Sequence, residues 1–307
     1  MISSSLDSRL RGNDEEFDYP GIFCFQLANY SKIFAFGQRD SYNVVMEIPI
    51  DSYFFVIPLI LAYITGVFVV SYFRKNSGTL DIAWGIGFVT IAWFLYFING
   101  THSNTQLLIN ILVTLWGVRL FLNILVRSLG KPEDSRYTEM RKGWKYPWLT
   151  SYFFVFLPQA LFMLIIASPI ILINSHYLNN ISNIVYLGVA IWVVGFIFET
   201  CGDLQLMLFL KQPENKGKIL ASGLWSLTRH PNYFGEITQW WGIYVIIIAA
   251  FGLSGLWTII SPVAITWLLL KVSGIPLLEK RYAGNKEFDA YKQRTNALIP
   301  WFRKNRH

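Results

Sequence analysis

The sequence has little charge, little histidine and almost no cysteine. Asp, Glu, Lys and Arg make up 15% of its 307 residues, against about 25% in an ordinary soluble domain. Two cysteines, Cys24 and Cys201, are too few for a disulfide framework. Four histidines, with no His/Cys pair at ligand spacing, give no reason to expect zinc or another metal. No G-x-G-x-x-G loop, Walker A loop or G-x-S-x-G elbow occurs. Rossmann and P-loop nucleotide binding are thereby excluded, as is an α/β-hydrolase nucleophile. The net charge of +7 sits in particular loops, so no nucleic-acid partner is expected.

What abounds is apolar: 53% of the residues are hydrophobic and the mean hydropathy is +0.39. A helix needs roughly 20 apolar residues to cross a bilayer. Seven runs qualify: about 53–73, 80–98, 106–126, 151–173, 183–208, 234–251 and 255–273. Backbone in lipid must satisfy its own hydrogen bonds, and a β-barrel would show short alternating segments. The expectation is an all-α polytopic protein with seven transmembrane helices. Trp and Tyr near the span ends, Trp240 and Trp241 included, read as interfacial belt.

Basic residues fall in alternate loops. Arg74 and Lys75 follow the first run, six Lys and Arg follow the third, and Lys211, Lys216, Lys218 and Arg229 follow the fifth. Nine more lie from Lys271 onward, and the intervening loops carry none. The positive-inside rule then puts the C-terminus in the cytoplasm and the N-terminus outside. Residues 1–45 are polar and lack a span-length run. They read either as an extension preceding a natural start at Met46 or as a disordered tail. Residues 46–307 form the membrane domain.

Polar side chains gather at the ends of these runs. Arg229-His230-Pro231-Asn232-Tyr233-Phe234-Gly235-Glu236 leads straight into an apolar run. Charge there is costly unless paired or lining a polar cavity, so the stretch points to a site for a polar ligand. Arg119 and Arg127 are eight residues apart on the third run and share a face. Two guanidiniums so placed suit a phosphate, or else lipid headgroups. Lys131-Pro132-Glu133-Asp134-Ser135-Arg136-Tyr137 adds a loop dense in donors. Glu199 and Asp203 stack at i and i+4 on the fifth run. They pair with Arg119 or Arg127, or accept from ribose hydroxyls. Asp81 opens the second run, as a helix cap or as a protonatable acid. The tail from Leu278 reads as an amphipathic membrane-surface segment, with Tyr282 its foremost ligand contact.

Together these stretches resemble the steroid 5α-reductase family, in an uncharacterised bacterial branch. Gly223 to Glu236 followed by Trp240-Trp241-Gly242 carries the match. Asp81-x-x-Trp84-Gly85, Glu199-x-x-x-Asp203-x-Gln205, Ser273 to Glu279 and Ala297 to Pro300 support it. Sterol C14-reductases and the isoprenylcysteine and phospholipid methyltransferases share the Arg229–Glu236 stretch. The resemblance implies an NADPH-dependent reductase of the bacterial inner membrane. Its substrate would be an apolar enone entering from the lipid, with no obligate protein partner evident. NADPH would enter from the cytosol. Asn232 and Glu236 would meet the nicotinamide, and Arg119, Arg127 and Lys131 the phosphates. Asp203 and Lys211 would hold the adenosine part, with Arg229 and His230 beside the cofactor and Tyr282 closing over it. Asp81, Tyr233 and Glu236 are the candidate catalytic residues. The alternatives are a methyltransferase using S-adenosylmethionine and a non-enzymatic lipid-binding protein.

Overall fold

The computed structural model describes residues 48–178 and 182–301. The reading of residues 1–45 and of a start at Met46 lies outside them. Among the described residues the regular structure is all helical, apart from one isolated parallel bridge between Thr228 and Asn296.

Three long helices come first: α1 (Ile50–Arg74), α2 (Thr79–Asn99) and α3 (Asn104–Ser128). Ser103 and Gln106 start α3 with a reciprocal capping box. The short α4 (Ser135–Arg141) is capped by Asp134. Next come α5 (Pro147–Ile166), which contains a π turn at Tyr152–Phe156, and α6 (Ser168–Asn174). The long α7 (Ile184–Lys211) and α8 (Pro231–Phe251) follow. Pro231 suits the first turn of α8, where its missing N–H costs nothing. A 3₁₀ stretch (Gly252–Ile259), α9 (Ile260–Trp267) and a π turn (Leu268–Val272) complete the apolar part. α10 (Ile275–Lys280) and α11 (Lys286–Arg294) end the chain's described helices.

Among the described residues, six helical stretches are long and apolar enough to cross a membrane. The last, Pro231–Lys280, holds the final two of the seven runs. Fifty residues of straight helix would measure about 75 Å, against roughly 30 Å of hydrocarbon. The chain turns instead at Gly252, whose φ is +57°. The Trp241 indole then donates to Thr266 Oγ1 at 3.4 Å, 25 residues away in sequence. α9 therefore packs back along α8. Large apolar side chains such as Phe54, Phe97 and Phe154 stay exposed, which suits a lipid-facing surface.

Two glycine-lined contacts set the register of the bundle. Gly188 and Gly195 of α7 lie seven residues apart, as do Gly235 and Gly242 of α8. A Cβ on Gly195 would sit 2.6 Å from the Gly235 carbonyl oxygen, and one on Gly242 would sit 2.7 Å from Trp192 N. Gly85 on α2 and Gly117 on α3 meet in the same way. Small residues let membrane helices approach this closely, and here they bring the polar ends of α2, α3, α7 and α8 together. Trp240 is 1% exposed. It belongs to the core rather than to the interfacial belt, because the register turns it inward against Trp116 and Phe88 at 5.1 and 5.3 Å.

Candidate active site

A buried ionic cluster joins α3, α7 and α8. Arg119 donates through Nη1 to Asp203 at 2.7 Å and through Nη2 to Glu199. The sequence left the partner of these acids open between Arg119 and Arg127; the structure selects Arg119. Asp203 also accepts from Asn123 at 2.8 Å and from Asn232 at 3.1 Å. Glu199 accepts from Gln239 at 2.5 Å. Glu236 is 8% exposed and makes no hydrogen bond or ion pair among the described residues. Its carboxylate nonetheless feels Arg119 and Asp203. Three carboxylates thus face one guanidinium. Asn232 Oδ1, Gln239 Oε1 and Arg119 Nε are buried there without partners among the described residues. Buried polar atoms are nearly always paired, so these orphaned atoms mark a place for a polar ligand.

Tyr233 lies beside this cluster. Its ring stacks on His230 at 5.5 Å, and its hydroxyl feels Glu236, Asp203, Arg127 and Arg136. Arg127, Lys131 and Lys211 are exposed and make no ion pair among the described residues.

A second network ties the basic loops to α2. Asp81 accepts from Arg136 at 3.1 Å and from the Tyr137 hydroxyl at 2.7 Å. Arg136 reaches Asp134 at 3.2 Å, and Arg281 reaches Asp134 at 3.2 Å from the far end of the chain. Burial, reinforced by the Asp81 carboxylate, pushes the Tyr137 hydroxyl well above its ordinary value. Asp134 resists the rise that burial alone would cause. Hydrogen bonds from Arg136 and Arg281 hold its carboxyl below the usual range.

Arg229 and His230 face elsewhere. Arg229 binds Glu279 at 2.8 Å and the Thr295 carbonyl at 2.5 Å. His230 lies 3.2 Å from Glu279, and Lys292 completes that group at 3.0 Å. The Arg229 N–H donates to the Asn296 carbonyl, and the Trp301 N–H donates to the Leu227 carbonyl. The C-terminal segment, expected as a membrane-surface anchor, is thereby clamped onto residues 225–230 of its own chain. Burial pushes His230 below its ordinary value, against the pull of Glu279. Tyr282 stacks on Phe288 at 4.7 Å and makes no bond to the ionic cluster.

Of the residues singled out in the sequence, Arg119, Glu199, Asp203, Asn232 and Glu236 come together, with Tyr233 alongside. Asn123 and Gln239 were missed, and Arg136 and Tyr137, read only as members of a donor-dense loop, turn out to bind Asp81. Asn123 is one turn from Arg119 and Gln239 is one turn from Glu236, so helical spacing alone would have found both.

Residues 67–295 match the family described as "Protein of unknown function (DUF1295)". The chain belongs to this family. An uncharacterised protein of Schizosaccharomyces pombe is 26% identical over 222 residues, 62% of this chain and 64% of its own. A probable O-methyltransferase of Ustilaginoidea virens is 46% identical over 46 residues, 15% of this chain and 16% of its own. The mouse 3-oxo-5-alpha-steroid 4-dehydrogenase 1 is 32% identical over 78 residues, 23% of this chain and 31% of its own. The chain thus spans less than two thirds of the length of each of these relatives. The family is steroid 5α-reductase-like, in line with the resemblance carried by the motifs. No solved structure matches.

Proposed function

We propose that this is a seven-span membrane reductase that uses NADPH to saturate a conjugated C=C bond in an apolar, lipid-soluble substrate. The observation that carries the reading is the set of acceptors at the ionic cluster left unpartnered among the described residues, with exposed basic side chains that form no ion pair among them. A nicotinamide carboxamide presents an NH₂ group with two donors. Asn232 Oδ1 and the Glu236 carboxylate are acceptors that suit it. Arg127, Lys131 and Lys211 suit the phosphates and the adenosine end. Arg119 has its terminal nitrogens engaged by Asp203 and Glu199, so it orders the cluster instead.

When bound, the dinucleotide supplies a hydride to the β-carbon of the enone. The electron pair of the C=C bond moves toward the carbonyl oxygen, and a proton must reach the α-carbon as the carbonyl reforms. Tyr233 Oη, beside Glu236 and without a hydrogen-bond partner among the described residues, holds that proton. Asp81 orders Arg136 and Tyr137 at the mouth of the site. The α8–α9 hairpin supplies the sixth and seventh crossings. The basic loops then set the cofactor side and the C-terminus in the cytoplasm of a bacterial inner membrane.

The methyltransferase alternative leaves Arg127, Lys131 and Lys211 without purpose, because S-adenosylmethionine carries no phosphate. The test is isotopic. Purified protein receives NADPH deuterated at C4 of the nicotinamide, S-adenosylmethionine and a 3-oxo-Δ4 steroid. Deuterium on the β-carbon of the product is expected. A methylated product formed from S-adenosylmethionine, with no deuterium transfer, would overturn the reading.

A further inference from the structure

Glu236 is the acid that the ionic cluster leaves without a counter-charge. Arg119 on α3 engages its terminal nitrogens with Asp203 and Glu199 of α7. Asp203 has further donors in Asn123 and Asn232, and Glu199 has one in Gln239. Glu236 has no such donor among the described residues and is 8% exposed. It faces Arg119 from α3, Glu199 and Asp203 from α7, and the Tyr233 hydroxyl from its own helix. One cation is therefore already matched by two acids before Glu236 is counted. Asn232 and Gln239 lie one turn to either side of Glu236 on α8. Their side-chain oxygens are buried without partners among the described residues, which places a polar ligand against Glu236.

A third negative charge here would be buried, unpaired and repelled by two neighbours. Such a group takes a proton rather than carry the charge. A protonated carboxyl still accepts through its carbonyl oxygen, so a contact with the carboxamide is preserved. The balance changes when a cation enters. The nicotinamide ring is neutral in NADPH and positively charged in NADP⁺, and the inference rests on the reductase reading, which sets that ring against Glu236. We propose that Glu236 carries a proton beside the neutral ring and gives it up beside the cationic one, and that this proton completes the reduction. As hydride joins the β-carbon, Tyr233 protonates the α-carbon and takes the Glu236 proton in its place. The enone has then gained a hydride and a proton, and the Glu236 carboxylate matches the charge of the ring. Solvent returns a proton to Glu236 once the oxidised cofactor leaves.

The test is calorimetric titration of the detergent-purified protein, without substrate, with NADP⁺ and with NADPH. Each titration is repeated in buffers of different ionisation enthalpy, and the slope of heat against that enthalpy counts the protons exchanged. The phosphates and the loops that meet them contribute alike to both titrations, so the difference isolates the ring. NADP⁺ should release about one proton more than NADPH, and its affinity relative to NADPH should rise about tenfold per pH unit. This result in the unmutated protein needs no variant. Glu236→Gln, which mimics the protonated acid, should abolish both the difference and its pH dependence while still binding NADPH. Tyr233→Phe should leave the difference in place, because the proton starts on Glu236. Equal release with the two cofactors in the parent would overturn the proposal and leave the reductase reading standing. A difference that survives Glu236→Gln, or one that is lost in Tyr233→Phe, would do the same. Binding of neither cofactor would overturn both.

Discussion

Arg119 and Asp203 meet at 2.7 Å between α3 and α7, and the same guanidinium holds Glu199 one turn away on α7. One cation therefore carries the charge balance of the cluster. Arg119→Met should cost about 3–5 kcal/mol, the usual penalty for breaking a buried pair. Thermal unfolding in detergent reads this directly. A triple variant, Arg119→Met with Glu199→Gln and Asp203→Asn, should recover much of the loss. A single variant as stable as the parent would mean that the pair is not structural.

The α7–α8 contact makes a graded prediction. Gly235→Ala and Gly242→Ala force a methyl into the facing backbone, at a cost of about 1–3 kcal/mol. Gly66 on α1 has nothing within 4 Å of an added Cβ. Gly66→Ala should be neutral or stabilising by up to about 1 kcal/mol, because alanine favours helix. Equal melting temperatures for all three variants would remove close approach as the reason for these glycines.

The tail clamp predicts a pH dependence. Burial lowers the folded-state pKa of His230 below its ordinary value of 6.5, so the fold favours the neutral ring. Its contribution is intact above pH 6.5 and is lost as pH falls from there through the lowered folded value. Over that window His230→Phe should melt with a flatter pH profile than the parent. Identical slopes in the two proteins would refute the assignment.

Much of this was legible in the sequence, and for definable reasons. Apolar runs of span length fix helices because lipid leaves the backbone no alternative. Glu199 and Asp203 were legible as a pair because i and i+4 share a face. Their choice of Arg119 over Arg127 was not, since it depends on the α3–α7 register that packing sets. Trp240 read as belt because composition cannot distinguish an inward indole from an outward one. The docking of the C-terminal segment onto Leu227–Arg229 was hidden for a similar reason. Its bonds run largely through backbone carbonyls, which every residue possesses.

The exposed basic residues allow the proposed cofactor binding to be tested apart from folding. Arg127→Ala with Lys131→Ala removes two cations that have no ion-pair partner among the described residues. Stability should be unchanged within about 0.5 kcal/mol. NADPH affinity should fall by about 1–3 kcal/mol per charged hydrogen bond lost. Calorimetric titration measures the affinity, and wild-type affinity in the double variant would move the phosphates elsewhere.

The most direct measurement is a thermal-shift comparison of the purified protein with NADPH, NADH and S-adenosylmethionine. Ligands that bind only the folded state raise its melting temperature. A rise with NADPH that exceeds the rise with NADH, and none with S-adenosylmethionine, is the expected result. A rise with S-adenosylmethionine alone would contradict the account and make the ionic cluster a methyl-donor site.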